Sequence, residues 1–183
     1  MPIQAYTLKN APEPDKIKAL YRSAFPREER LPWWLVRFLT IRPGTEVTAF
    51  YDGSVFCGFT LTACWKKSMC ILFLAVEDGL RSSGYGSRIL DHWKQQDPQR
   101  QILLNVELLD PQAENYAQRV QRMAFYKKNG FYDSGYDIDE VGGTFRVLST
   151  VKDPDMDAYM AVFRHMSWGL WKPPVRKVLR EQV

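Results

Sequence analysis

The stretch Leu72-Phe-Leu-Ala-Val-Glu-Asp-Gly-Leu-Arg-Ser-Ser-Gly-Tyr-Gly-Ser-Arg-Ile-Leu90 decides how this chain is read. Ile71 to Val76 is an unbroken apolar run, the pattern of a strand covered on both faces. Asp78-Gly79 breaks it. From Gly84 the apolar residues Ile89, Leu90 and Trp93 fall at helical spacing, so strand passes to helix through Arg81-Ser-Ser-Gly-Tyr-Gly86. The amides of a helix's first turn lack internal partners, and the helix dipole puts partial positive charge there. Gly84 and Gly86 let an anion approach the backbone, Arg81 and Arg88 add charge, and Ser82, Ser83 and Ser87 add hydroxyl donors. A phosphate or pyrophosphate is the guest this chemistry suits. A turn that merely starts a helix would carry the same two glycines. No Gly-x4-Gly-Lys-Ser/Thr run occurs, and the dinucleotide fingerprint fails at Ile89, three residues after Gly86, so two rival phosphate loops are set aside.

The chain of 183 residues predicts one domain with ample length for a core. Its 45% hydrophobic and 25% charged residues are ordinary for a globular protein. A net charge of +4, with no run of five or more basic residues, suits a polyanionic cofactor and is too weak to argue for nucleic acid. Cys57, Cys64 and Cys70 are an odd, unpatterned set, which fits a reducing cytosol and argues against a disulfide framework or a zinc site. His92 and His165 lie far apart, so no metal is expected. Met1 is followed by polar residues rather than a secretory signal, and no uncharged apolar run is long enough to span a bilayer. A cytoplasmic protein without membrane or nucleic-acid partners, monomeric or homodimeric, is expected.

In chain order, Ile3 to Leu8 alternates as a first strand. Asp15 is a candidate N-cap for a helix with Ile17, Leu20, Tyr21 and Ala24 on one face, ended by Phe25-Pro26. Arg27-Glu-Glu-Arg30 precedes an amphipathic helix, Leu31 to Leu39, with Pro32 near its first turn. Thr45 to Tyr51, Asp52-Gly53 and Val55 to Cys64 form a hairpin with a type I′ turn signal, and Gly58 marks a candidate bulge. The glycine-loop helix runs to about Gln96. Gln101 to Glu107 is a buried-type strand ending on a carboxylate, and a long helix is expected from Pro111–Glu114 to Asn129, closed by Gly130. Phe131 to Ile138 and Thr144 to Thr150 are strands around Gly142-Gly143. Asp153-Pro-Asp opens a last helix, Met156 to His165, followed by a tail rich in tryptophan and basic residues.

Arg81-x-x-Gly84-x-Gly86 behind an apolar strand resembles the pyrophosphate loop of the GCN5-related N-acetyltransferases, the GNAT family. Phe125-Tyr126-Lys-Lys-Asn-Gly130-Phe131 resembles the family's Tyr-x-x-x-Gly-Phe signature, and the element order matches the family layout over residues 3–150. The run Glu114 to Tyr126 looks like a bacterial subgroup. The resemblance implies an α+β fold in α/β/α layers. Its central sheet is mixed and mostly antiparallel, with splayed fourth and fifth strands. Residues 3–150 would be the N-acetyltransferase domain, and 151–183 a C-terminal helix and tail packed on it.

The resemblance also implies chemistry. Acetyl-CoA would lie where those strands splay, with Leu74, Ala75 and Val76 bonding the pantetheine arm. Arg81, Ser82, Ser83, Gly84, Tyr85, Gly86 and Ser87 would hold the pyrophosphate. The acceptor, a small-molecule or peptide amine, would attack the thioester directly. Tyr126 matches the tyrosine that protonates the departing thiolate; its other reading is a core residue on an apolar helix face. Glu107 is the candidate base, or else a strand-end carboxylate in solvent. Glu28, Glu29 and Trp33 fall in the region that walls the acceptor pocket, although a solvated linker would also carry such charges. Many members place asparagine seven residues before the tyrosine. Here Arg119 stands there, with Asn115 one turn earlier, so both are candidates on the cofactor face, and Arg119 pairing with Glu107 or with a CoA phosphate is the alternative. A non-catalytic acyl-CoA-binding sensor of the same fold is the rival function.

Overall fold

A computed structural model describes residues 3–140 and 142–178. The expected tail extends to residue 183, so its last five residues lie outside the described ones. In order the elements are β1 (Gln4–Thr7), α1 (Pro14–Ala24), a 3-10 turn (Arg27–Glu29), α2 (Trp33–Leu39), β2 (Thr45–Asp52), β3 (Val55–Trp65) and β4 (Ser68–Val76). A second 3-10 turn (Asp78–Leu80) leads to α3 (Tyr85–Gln96), β5 (Gln101–Glu107), α4 (Tyr116–Lys128), β6 (Tyr132–Glu140), β7 (Gly143–Ser149), α5 (Met156–Met166) and β8 (Val175–Lys177). Among the described residues the strands form one eight-stranded sheet, ordered β1-β2-β3-β4-β5-β7-β6-β8. The β4–β5 pair is parallel and every other pair antiparallel.

Helices cover both faces, as the doubly apolar strands require. On one face Ile17, Leu20 and Tyr21 of α1 and Val36 of α2 pack on Val47, Phe59, Leu61 and Ala75. Tyr159, Val162, Phe163 and Met166 of α5 continue that layer over Ala63, Cys70, Leu103, Ile138 and Val147. On the other face Leu90 of α3 packs with Met69, Ile71, Ile102, Leu104 and Leu148, and Met123, Phe125 and Tyr126 of α4 lie against this cluster. The start of α5 is tied to the sheet through Gln101, whose side chain donates to the Asp155 carbonyl at 2.8 Å and accepts the Asp155 amide at 2.9 Å. Asp155 then caps the helix by accepting Ala158 N–H at 2.9 Å.

The parallel pair is short. Ser68 to Ile71 pair with Gln101 to Leu104, and the pairing stops there. Beyond that point Phe73, Leu74, Ala75 and Val76 remain paired with β3 alone. Leu72 is the extra residue where the β3–β4 register shifts, since Thr62 pairs with Ile71 and Leu61 with Phe73. A bulge bends and twists the strand that carries it, and this one lies where β4 leaves β5. The splay expected between the fourth and fifth strands is thus present.

Four local expectations are corrected. Asp15 is in the first turn of α1, while Glu13 holds the N-cap position without a side-chain bond. The hairpin loop is Gly53-Ser54, because Asp52 pairs with Val55. Gly53 has φ 60 and Ser54 is not at positive φ, which fits type II′ rather than I′. α4 begins at Tyr116, not at 111–114. There the Asp110 side chain accepts the Gln112 amide at 2.9 Å and Tyr116 N–H donates to Ala113 at 2.9 Å, so local turns compete with the helix. The tail contains β8, which pairs with β6 at the sheet's edge; three residues behind two prolines show no readable alternation.

Gly58 serves close strand approach, one residue past the register shift of β2 and β3. A Cβ there would stand 2.2 Å from the Ala75 carbonyl oxygen and 3.0 Å from Val76 Cα. Gly58→Ala is expected to lower stability by about 1–3 kcal/mol, the usual cost of overpacking, read as a lower urea midpoint with an unchanged slope.

Candidate active site

Where β4 and β5 part, a cavity of about 130 Å³ opens between them. Leu72, Phe73 and Leu74 line it from one strand, and Asn105, Val106 and Glu107 from the other. Phe25 and Glu29 approach from the α1 side, Arg122 and Tyr126 from α4, and Glu140 and Phe145 from β6 and β7. Three carboxylates from three separate segments therefore meet in one small space.

Their surroundings differ. Glu107 ends β5 with its oxygens occupied: Arg122 forms an ion pair and hydrogen bond with Oε2, Asn115 donates to Oε1 at 2.9 Å, and Arg119 Nε stands 3.6 Å from Oε1. Arg119 is itself held by Asn115 Oδ1 at 2.7 Å and the Leu108 carbonyl at 2.8 Å. Both residues brace the end of β5, and the pairing of Arg119 with Glu107 is present. Glu29 makes no side-chain hydrogen bond or ion pair among the described residues. Burial, and next the Glu107 charge, raise its carboxyl above the ordinary range, with Arg122 and Arg119 opposing. Its Cγ packs against Gly142, where a Cβ would stand 3.0 Å away.

Glu140 was not singled out from the sequence. Its carboxyl accepts from Asn105 Nδ2 at 3.0 Å. Although the residue keeps intermediate surface exposure, its carboxyl is desolvated, and burial pushes it up to about 7. Period-two alternation from the buried Ile138 was the available signal, since it puts Glu140 on the inward face. Tyr126 lines the cavity with its ring against Phe125 and Phe131. Burial pushes its phenol up to about 12, so it stays protonated through the neutral range. Glu28 is exposed and Trp33 packs on Tyr21, with centroids 5.5 Å apart, so neither reaches this cavity.

The glycine loop lies at the head of α3. Gly84 is its N-cap at φ 84, a conformation glycine adopts freely, and Ser82 is also left-handed at φ 63. Arg88 N–H donates to Gly84 at 3.1 Å and starts the helical ladder, whereas the amides of Tyr85, Gly86 and Ser87 donate to no backbone carbonyl among the described residues. Nothing stands within 4 Å of a Cβ at Gly84, so the loop is open where an anion would enter. Gly86 has a different duty: a Cβ there would meet Phe125 Cζ at 2.9 Å, so the missing side chain lets α3 approach α4. Arg81 pairs with Asp78 at 2.5 Å on an exposed surface, and Arg88 with Asp52 at 2.9 Å, where Tyr85 also donates to Asp52. Leu74, Ala75 and Val76 have a β5-facing edge without a partner strand among the described residues. His92 contacts Phe50 and Trp93, a packing role. Cys57, Cys64 and Cys70 are free thiols, and no described helix is long and apolar enough to cross a membrane.

No protein-family model and no curated protein sequence matches the chain. Solved structures do. A Bacteroides thetaiotaomicron protein assigned to the GNAT acetyltransferases is similar with a TM-score of 0.71 at 21% identity, over 93% of this chain and 100% of that one. An aminoglycoside 6'-N-acetyltransferase complexed with coenzyme A has a TM-score of 0.61 at 20% identity, over 85% and 100% of the two chains. Arabidopsis thaliana Naa50, in complex with the bisubstrate analogue CoA-Ac-MVNAL, has a TM-score of 0.56 at 19% identity, over 82% and 99%. The chain has the GNAT fold.

Glu107 ties β5 to α4 through three side chains, and removing it takes one partner from each of Arg119, Asn115 and Arg122. Glu107→Ala is therefore expected to lower stability by about 2 kcal/mol, reduced from the cost of a fully buried pair because Arg122 is half exposed. Arg122→Ala should lose less. Paired urea denaturation curves check the order.

Proposed function

We propose that the protein is an acetyl-CoA-dependent N-acetyltransferase whose acceptor is a cationic primary amine. The observation that carries this reading is the parting of β4 and β5, with an unpaired backbone edge along one side, carboxylates along the other and a buried neutral phenol between. A strand edge suits a chain with alternating amide donors and acceptors, as in the pantetheine arm. Leu74, Ala75 and Val76 would hold that arm. The first-turn amides of α3, with Arg81, Ser82, Ser83 and Ser87, would hold the pyrophosphate; the open space at Gly84 and the free first-turn amides fit such a group.

Acetyl-CoA supplies an activated acetyl thioester. The rest falls to the chain's own residues. Glu29, without a hydrogen-bond or ion-pair partner among the described residues, binds the ammonium form of the acceptor beside Phe25, Phe73 and Phe145, where its partial burial strengthens the attraction. The amine attacks the thioester carbonyl without a covalent enzyme intermediate, a route that needs no nucleophilic side chain. Consistent with it, burial raises the thiols of Cys57, Cys64 and Cys70 and disfavours their thiolates. Tyr126 gives its proton to the departing sulfur. Glu107 we assign to bracing, because its oxygens are already bonded. The comparison proteins named for aminoglycosides and for a peptide-bearing analogue support an amine acceptor of either kind. We further read residues 3–150 and the C-terminal segment as one domain, since α5 and β8 are built into the sheet's layers.

Thiol release from acetyl-CoA against a panel of primary amines tests the function; no release with any amine would refute it. Tyr126→Phe should lower kcat by roughly 10²–10⁴ with little change in acetyl-CoA affinity. Glu29→Gln should mainly raise the KM for the amine.

A further inference from the structure

We propose that Glu140 is the base that takes the proton from the acceptor amine, and that Asn105 positions its carboxyl. This rests on the acetyl-transfer reading.

Glu140 and Asn105 line the same cavity as Glu29 and Tyr126. Ile138 pairs with Phe145 and Glu140 with Gly143, so Glu140 shares the face that α5 covers, whereas Tyr126 comes from α4 on the opposite face. Base and acid therefore reach the cavity from opposite sides of the split sheet. That separation is what the reaction needs: the amine enters from one side and the sulfur departs toward the other.

A hydrogen-bonded chain fixes the carboxyl. Tyr159 O–H donates to Asn105 Oδ1 at 2.9 Å, which turns the Asn105 amide nitrogen toward Glu140 Oε1. With its hydroxyl proton committed, Tyr159 accepts from Cys70 Sγ at 3.5 Å. Each donor along the chain Cys70–Tyr159–Asn105 thus points toward Glu140. Among the described residues the Glu140 carboxyl makes that single hydrogen bond and no ion pair, which leaves its second oxygen for the cavity. Glu107 contrasts with it, with two guanidiniums and an amide on its oxygens. The groups facing the space are Glu29, Glu107 paired with Arg122, Tyr126 and Asn105, together with Phe25, Phe73 and Phe145. A carboxyl pushed up to about 7 exchanges protons in the neutral range.

The step balances. The ammonium gives one proton to the Glu140 carboxylate and becomes a free amine. Its lone pair forms the C–N bond as the C–S bond breaks. Tyr126 protonates the sulfur and is restored by the second proton lost from nitrogen, and Glu140 passes its own proton to water.

The test uses kcat/KM against pH with spermine, kanamycin A and a short methionine-led peptide as acceptors. The wild type should show an acidic limb with a midpoint near 7. Glu140→Gln should lose that limb and fall roughly 10²–10⁴-fold in rate. Glu107→Gln should keep the limb. Asn105→Ala removes a bond that favours the charged carboxyl, so its limb should move to higher pH. An activity-free readout accompanies these. The folded state holds the Glu140 proton more tightly than the unfolded chain. That contribution is full below the ordinary value of 4.5 and is lost as pH rises through about 7. Glu140→Gln should therefore gain thermal stability relative to wild type as pH rises through that window. A folded Glu140→Gln variant that keeps the limb overturns the assignment while acetyl transfer stands. A flat difference in thermal stability across the window also overturns it. No thiol release from wild type with any acceptor brings down both readings.

Discussion

The parallel contact between β4 and β5 lasts four residues, and the rest of the molecule is arranged around its ending. Ladder hydrogen bonds hold Ser68 to Ile71 against Gln101 to Leu104; the extra residue at Leu72 then turns β4 away. Two neighbouring strands in one sheet normally satisfy each other's backbone groups. Here the edges beyond the split are left for something else. The helices respect this, since α1, α2 and α5 cover one face and α3 and α4 the other, leaving the split itself open.

The carboxylates in that opening illustrate how partners rather than residue type assign roles. Glu107 is surrounded by donors from α4 and its approach, and its charge is spent on holding β5 to that helix. Among the described residues Glu140 and Glu29 sit in the same space without an ion-pair partner, and burial raises both. A desolvated carboxyl has two ways to lower its free energy: bind a proton or bind an incoming cation. A pocket that offers both is suited to an ammonium that must arrive charged and react neutral.

The glycine loop divides its work in a comparable way. Gly84 provides the left-handed turn at the head of α3, and the amides after it remain without backbone acceptors. Gly86, two residues on, is needed because Phe125 of α4 occupies the place of its side chain. Arg88 turns back to Asp52, which its hydrogen bond and that of Tyr85 hold below the ordinary carboxylate range, so it fastens α3 to the β2–β3 hairpin. The motif thus combines exposed first-turn amides with a packing joint, and a substitution at Gly86 disturbs the joint directly.

The strands, the helices and the Arg81–Gly86 loop were legible in the sequence because their signals are local. Unbroken apolar runs, helical spacing and glycine breaks depend only on neighbours a few residues away. That Tyr126 and Glu107 lie on recognisable elements was legible too, and both line the cavity. Competing local bonds override such signals: Asp110 delays α4, and Asp52 pairs with Val55 and moves the hairpin turn by one residue. The desolvated Glu140 carboxyl was out of reach for a different reason. Glu140, Asn105 and Tyr159 are separated in sequence by 35 and 54 residues, and their contact exists only once β5, β7 and β6 are in register and Gln101 has docked α5 on the sheet. The sequence by itself determined which segments become strands and helices and where a glycine turn opens α3. Tertiary structure alone decided which carboxylate is neutralised by arginine and which is left desolvated, because burial and pairing are properties of the assembled space and not of any segment within it.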